Sequence, residues 1–471
     1  MSPLGLLRRE LPGILPLFGP ILVSQYAGIA NGVVDTAMAA RLGTVDLGSV
    51  AVGVALCVPL NMFTLGVLYG TLMLLSRLHG AGDYEGVRKT AHQGLWLGFA
   101  LGACAALAGW FISYRIGWFG ASPDLVGLSG EYLRMLLPGF FCLSLAIAMR
   151  FFCEGQKVIV PITVMSVIMV LLNVFFNYCL MFGNFGMPAM GVRGCGLATS
   201  LSQAGFLLMV AFYIRFGPGS PGRDFFQRFY APDKDVLRQI FKIGVPIGLG
   251  ITLEYLVFTL ITLFIASVGA VAAAAHQVCF SSMMLLFGTP LALSVAASIR
   301  VGNLLGSGDT EALHAAIKGI AILSALIGLA FACLMAFGSS MIAGVFTNDP
   351  KVIALASSVL VIAAFFQLSD SIQANLNGML RGAGDTAVPF FMTTATYWTI
   401  CLPLGYVLSG MPLPGGLGLS PELFGIRGWW MALTVSITLA AVLLALRVKK
   451  TFWKALPEQV QEPMAEAVVD A

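Results

Sequence analysis

The tetrapeptide GAGD at residues 80–83 returns as GSGD at residues 306–309, 226 positions further along a chain of 471 residues. The same offset sets Pro20 on Pro246 and Gly43 on Gly269. Further on the register slips slightly, yet CEGQKVIVP (153–161) still meets RGAGDTAVP (381–389), and GVRGCGLA (191–198) meets GIRGWWMA (425–432). A recurrence of this kind is the mark of a duplicated architecture, and the fold must be read as two versions of one design.

What the design is made of follows from composition. Hydrophobic residues are 58% of the chain and charged residues only 10%, against roughly 25% charged in a soluble domain. Mean hydropathy is +0.90. A helix that spans a bilayer needs about 20 mostly apolar residues, and twelve such stretches succeed one another: 11–40, 47–76, 93–114, 128–152, 159–182, 193–215, 240–268, 275–300, 314–337, 352–380, 388–410 and 426–447. The first follows Arg8 and Arg9 but is too long for a signal peptide and lacks a small-residue cleavage pattern. Lys and Arg collect in cytoplasmic loops. With the N-terminus inside, 20 of the 26 basic residues fall on the cytoplasmic side, leaving Arg41, Arg115, Arg134, Arg193, Lys351 and Arg427 outside. The net charge of +4 thus reports topology and gives no reason to expect nucleic acid.

The expected fold is an all-α integral membrane protein: twelve transmembrane helices in two pseudo-symmetric six-helix bundles around a central cavity. Six spans per half keep both halves in one orientation, so these are parallel repeats. We assign residues 1–216 to an N-terminal lobe, 217–239 to a Gly- and Pro-rich cytoplasmic linker, 240–450 to a C-terminal lobe, and 451–471 to a polar, acidic, disordered tail. Two bundles able to rock against one another are what alternating access requires, which points to transport. The G-x-G-D loops lack the Lys-Ser/Thr of a phosphate cradle and read as tight turns followed by an aspartate N-cap. The nine cysteines lie in or beside apolar spans without a C-x-x-C pair and read as packing residues.

Most acids sit in loops. Asp35, in NGVVDTAMAARLG (31–43), Glu254, in GLGITLEYLVFTL (248–260), and Asp370, in FFQLSDSIQANLNG (365–378), do not. A carboxylate near the bilayer centre costs roughly 2.5–3.5 kcal/mol on insertion scales, so each needs a reason. The bland reasons are a solvated helix end for Asp35, a protonated packing residue for Glu254 and a polar kink for Asp370. Against them stands the repeat: Asp35 falls on Ile261 and Glu254 on Gly28, so the acids are additions to a symmetric scaffold. Asn173 and Asn177 are four apart, hence on one helical face, and with Thr199 they make a polar lining for Asp35. Their alternative role is hydrogen bonding between helices, and His276 reads as a packing residue of the same kind.

VDTAMAARLG (34–43), SIRVGNLLGSGD (298–309), LRGAGDTAVP (380–389) and NYCLMFGNFGMPAMGVRGCGLA (177–198) together resemble the MATE family, multidrug and toxic compound extrusion, particularly its NorM-type bacterial members. The likeness runs over about residues 8 to 450. It implies a two-lobe, twelve-helix fold and a secondary antiporter of the bacterial inner membrane, with both termini cytoplasmic, that exports cationic amphipathic compounds in exchange for H⁺ or Na⁺. It implies no enzyme activity, no cofactor and a monomer in the lipid bilayer. By position, Asp35 looks like the N-lobe carboxylate, with Asn173, Asn177 and Thr199 around it, while Glu254 and Asp370 look like the C-lobe cation site. Na⁺ would then bind at Asp35, or at Glu254 and Asp370. Asn177 stands where some members carry a second carboxylate and Phe366 where some sodium-coupled ones carry a tyrosine, which weakens the case for a tight Na⁺ site. The alternative within transport, a flippase for lipid-linked substrates, would want basic residues deep in the spans, and none is evident. Neither an H-E-x-x-H zinc motif nor a Walker A sequence is present.

Overall fold

The computed structural model describes residues 3–119, 122–222, 225–226, 228–410 and 424–455. Their regular structure is all helical, without strands, and twelve of the helices are long and apolar enough to cross a membrane. We number them α1 (Pro3–Ala40), α2 (Thr44–Gly80), α3 (Tyr84–Ser113), α4 (Pro123–Gly155), α5 (Val160–Phe182), α6 (Val192–Phe216), α7 (Lys234–Val268), α8 (Ala270–Ser307), α9 (Thr310–Phe337), the short α10 (Ser339–Phe346), α11 (Pro350–Gly382), α12 (Ala387–Leu408) and α13 (Ile426–Lys450). Several exceed a bilayer thickness by two or three turns.

The repeat is visible element by element. Helices α4 and α11 have 33 residues each, and α6 and α13 have 25 each. In the G-x-G-D loops Gly82 and Gly308 take φ of 75° and 73°, a left-handed turn that costs glycine no Cβ clash. The following aspartates cap the next helices: Asp83 accepts from the Gly86 N–H at 2.8 Å and Asp309 from that of Ala312 at 2.9 Å. Ahead of α6 and α13 the glycines of GVRG and GIRG share one conformation, φ/ψ of 57°/−131° at Gly191 and 51°/−129° at Gly425. Side chains would be strained there, which explains why glycine fills both positions.

The chain divides into two compact units, residues 19–249 and residues 1–18 with 250–471. In the first, α4 is the central helix, packed on α2, α3 and α6, with α5 on α6. In the second, α11 holds the matching place among α8, α9 and α13. The boundary cuts through α1 beside Pro20 and through α7 just after Pro246. The start of α1 is tied into the second unit by Arg9 to Glu311 at 2.9 Å and Arg300 to Glu10 at 3.5 Å. The start of α7 is locked into the first by close backbone approach. A Cβ built on Gly244 would strike the Val67 carbonyl, and one on Gly66 would strike Gly248. Small residues let helices in lipid come this near. Gly244→Val should therefore destabilise the protein by about 3 kcal/mol, the upper range for overpacking, measured as a lower thermal midpoint; an unchanged midpoint would show that the helices do not meet here.

Helix α7 begins inside the stretch assigned to the linker, because Asp233 caps it, accepting from the N–H groups of Asp235 and Val236 at 2.9 and 3.2 Å. The hydrogen-bonding Lys89 ammonium, 2.6 Å away, holds the Asp233 carboxyl below its ordinary pKa. The preceding residues lie along α3. Gln93 donates to the Ala231 carbonyl and accepts from the Asp233 N–H, both at 2.9 Å, and His92 stacks on Phe225 with centroids 4.2 Å apart. At the other end, residues 451–455, expected in the tail, continue as a helical turn. Asp385 accepts from Arg447 at 2.6 Å and Thr451 at 3.2 Å, and His314 donates to the Phe452 carbonyl. The rest of the expected tail, 456–471, lies outside the described residues.

Most of the arginines that the basic-inside expectation leaves on the other side have partners. Arg115 lies 4.8 Å from the Trp118 ring, Arg134 4.8 Å from Tyr114, Arg193 forks onto Glu131 with both bonds at 2.6 Å, and Arg427 donates to Ser358. With Trp110, Tyr114 and Trp118 exposed at the end of α3 and the turn after it, this end has the aromatic character of a membrane interface.

Candidate functional site

Asp35 lies five residues before the end of α1, about 7.5 Å along the axis, yet it is only 7% exposed. A solvated helix end would not be. The carboxylate is held from two helices: Asn177 of α5 donates to Oδ1 at 2.7 Å, and Thr199 of α6 donates to Oδ2 at 3.0 Å. The ring closes behind it. Asn177 Nδ2 also donates to Asn173 Oδ1 at 3.0 Å, and Asn173 Nδ2 donates to Thr199 Oγ1 at 3.3 Å. The spacing of four in α5 puts both amides on one side, as the sequence predicts, and both are fully buried. The four N-terminal candidates thus form one cluster. Two details give it chemistry. The single Thr199 hydroxyl proton has two acceptors, Asp35 and the Cys195 carbonyl at 3.1 Å, so it can turn from one to the other. Asn177 Oδ1 is buried without a partner among the described residues, an acceptor left for a donor or cation.

On their other faces α1 and α5 line an open groove of about 570 Å³, walled by Val34, Met38, Leu171 and Phe175 with Arg41 and Tyr178. Its volume is in the range of small-molecule sites.

The C-terminal candidates are arranged differently. Glu254 sits mid-way along α7, half-buried, and accepts from the Tyr397 hydroxyl of α12 at 3.2 Å. Asp370, on α11, is 4% exposed; no hydrogen bond joins it to Glu254 among the described residues. One turn before it, Gln367 is fully buried with neither amide atom partnered among the described residues. The other polar residues near Asp370 serve packing. Ser371 and Ser324 exchange hydroxyl-to-carbonyl bonds at 2.8 and 2.9 Å between α11 and α9, and Ser369 pairs with Thr438 of α13 at 2.8 Å. His276 bonds Thr262 Oγ1 at 3.0 Å, and because that hydroxyl is given to the Phe258 carbonyl the imidazole is the donor. It joins α8 to α7, as expected of a packing histidine. Among the described residues no cluster of three or more His, Cys, Asp or Glu side chains is placed to hold a metal, and the nine cysteines are free thiols.

Two residues of interest escape sequence reading. Tyr397 lies in an apolar run that gives no hint of a partner. Glu154, assigned to a loop, is fully buried and paired with Arg150 at 2.6 Å; the i, i+4 spacing of the two was the available signal.

Twelve spans in two repeated halves, with carboxylates buried inside them, define a multi-pass membrane transporter. Comparison with known proteins gives the family: the MatE family pattern matches residues 20–179 and 246–407, and the chain belongs to the MATE family, which are transporters and not enzymes. It is 34% identical to the multidrug resistance protein PmpM of Pseudomonas aeruginosa, over 98% of this chain and 96% of that one. Among solved structures it is similar in fold to the eukaryotic MATE transporter AtDTX14, with a TM-score of 0.84 at 22% identity over 97% and 99% of the two chains. A MOP-superfamily transporter from Pyrococcus furiosus gives a TM-score of 0.84 at 20% identity over 94% and 96%.

Proposed function

We propose that this protein is a multidrug antiporter of the bacterial inner membrane. It works as a monomer with both termini cytoplasmic, and it exports cationic amphipathic compounds in exchange for H⁺ or Na⁺. The similarity to a multidrug resistance protein over nearly the full length supports the substrate class. The observation that carries the mechanism is the Asp35 ring, a buried acid whose hydrogen-bond partners accommodate both of its protonation states.

When Asp35 is ionised, Thr199 and Asn177 donate to it, and the negative charge together with the free Asn177 oxygen attracts a cation. When a proton neutralises Asp35, Thr199 turns its hydroxyl to Cys195 and accepts from the new carboxyl O–H, so no bond is lost; Na⁺ would instead neutralise the carboxylate by binding its oxygens. The drug loses its counter-charge. At a separation of 4 Å and an effective dielectric of about 20, that attraction is about 4 kcal/mol, roughly a thousandfold in affinity. Antiport then requires only that drug and coupling ion prefer different conformations and exclude one another.

The test is efflux of ethidium from proteoliposomes under a pH gradient and, separately, a Na⁺ gradient. Dye movement driven by at least one gradient and abolished by collapsing it is the expected result. Folded, correctly inserted protein that moves no dye under either would overturn the reading.

A further inference from the structure

Arg41 stands apart from the other arginines left off the basic side. Arg115, Arg134, Arg193 and Arg427 each have a partner, whereas the exposed Arg41 side chain has no ion pair, hydrogen bond or ring contact among the described residues. It lines the groove of about 570 Å³ between α1 and α5. So does Tyr178, whose hydroxyl likewise has no hydrogen bond among the described residues.

The groove has a polarity written into both helices. Val34, Met38 and Arg41 follow one another at spacings of four and three along α1 to just past its end, and Leu171, Phe175 and Tyr178 repeat those spacings on α5. Residues so spaced share one helical face. On each helix the apolar pair comes first and the polar residue last, about 10 Å beyond the first. The bond from Asn177 to Asp35 sets the ends of α1 and α5 side by side, so both polar residues lie toward the same end of the groove.

A molecule that matches this lining has a hydrocarbon chain and an acidic head. A guanidinium holds a phosphate through paired N–H bonds, and a phenol can add one more. Arg41 would repel the cationic compounds assigned above to export, so the groove is not their site. The direction of the polarity decides between acidic ligands. A head at the helix ends with a chain running beside the helices toward mid-span is how a phospholipid lies in a bilayer, and basic pockets between transmembrane helices hold acidic lipid headgroups.

A separate observation falls at the same end. Phe185, in the turn after α5, has a φ of 57°, a conformation that bulky side chains avoid. It is 78% exposed, and its ring lies 6.1 Å from that of Phe175 and 6.3 Å from that of Tyr178. The chain thus accepts backbone strain to stand a third aromatic ring beside two groove residues without burying it in protein. Aromatic rings at this level of a membrane protein meet lipid headgroups.

We propose that the groove between α1 and α5 binds one acidic phospholipid, with its phosphate on Arg41 and Tyr178 and an acyl chain along Val34, Met38, Leu171 and Phe175. The site is separate from the Asp35 ring, because α5 carries Asn173 and Asn177 on its opposite side. It shares the ring's two helices, however, so the lipid braces α1 against α5, the pair that Asn177 joins to Asp35.

The test uses full-length protein in phosphatidylcholine nanodiscs doped with phosphatidylglycerol that carries a photoreactive acyl chain, with labelled peptides mapped by mass spectrometry. Labelling of α1 and α5 is expected, displaced by unlabelled phosphatidylglycerol and not by more phosphatidylcholine. Arg41→Gln, at an exposed position, should weaken phosphatidylglycerol labelling by about fivefold, the worth of one basic residue at a membrane surface. Tyr178→Phe should weaken it by a smaller factor, and Arg427→Gln, which removes an arginine already held by Ser358, should leave it unchanged. Labelling that phosphatidylcholine displaces equally well, that misses α1 and α5, or that survives Arg41→Gln overturns the proposal. Decyl phosphate tests a soluble acidic occupant: if it displaces the label as well as phosphatidylglycerol does, the lipid assignment falls. None of these readouts depends on transport, so labelling as expected beside proteoliposomes that export no dye would sink the antiport reading and leave the lipid site standing.

Discussion

Replacing Asp35 with asparagine should lower gradient-driven dye export by at least about tenfold while leaving the thermal midpoint within a few degrees of wild type. The separation of the two effects follows from the ring. Asparagine has the shape of the aspartate it replaces, and its oxygen still accepts from Asn177. Its amide can donate to Thr199, whose proton then goes to the Cys195 carbonyl already 3.1 Å away. The structural cost is one rearranged hydrogen bond, about 1 kcal/mol. The functional cost is the whole charge: a neutral amide attracts no cation and takes up no proton, so the roughly 4 kcal/mol difference between the two states of the site disappears. Export rates from proteoliposomes beside a thermal melt decide it. Unchanged transport would remove Asp35 from the mechanism, and a collapsed midpoint would make it a structural residue.

The other large effect is expected far from that ring. Arg150→Met should destabilise the protein by about 3–5 kcal/mol, because it strands Glu154, which is fully buried and whose carboxylate is partnered by Arg150 among the described residues. The double variant Arg150→Met, Glu154→Met should recover most of that loss, since two apolar side chains of similar volume replace a pair whose desolvation nearly cancels its attraction. Thermal midpoints of the two single variants and the double variant form a cycle that measures the coupling. Additive losses would mean that the two charges do not depend on one another.

These cases mark where sequence reading works and where it stops. The duplicated architecture, the twelve spans and the capping aspartates of the G-x-G-D loops were legible because each rests on a local rule: run length, turn chemistry, or a fixed offset. So were Asn173 and Asn177, whose spacing places them on one face whatever surrounds them. Asp35 was identified as out of place in an apolar run, but its burial could not be read, since helix length alone put it near an end. Tyr397 was invisible for a different reason. An apolar, aromatic stretch reads the same whichever of its side chains meets an acid on another helix. Glu154 was misplaced because the assigned span ended three residues too early, at 152 rather than Gly155. For Glu254 and Asp370 the sequence showed two acids in apolar surroundings but nothing about the Tyr397 hydroxyl that meets Glu254.

The two divided helices have a consequence for how the protein is assembled. The first turns of α1 belong with the later part of the chain, and the first turns of α7 belong with the earlier part. Neither half, taken as a continuous stretch, contains all of its own packing surface. A chain cut between Phe216 and Lys234 would yield two fragments that each carry an arm built for the other, so they should mature only when made together. During synthesis the earlier half must wait, with the groove beside Val67 open, until the ribosome delivers Gly244.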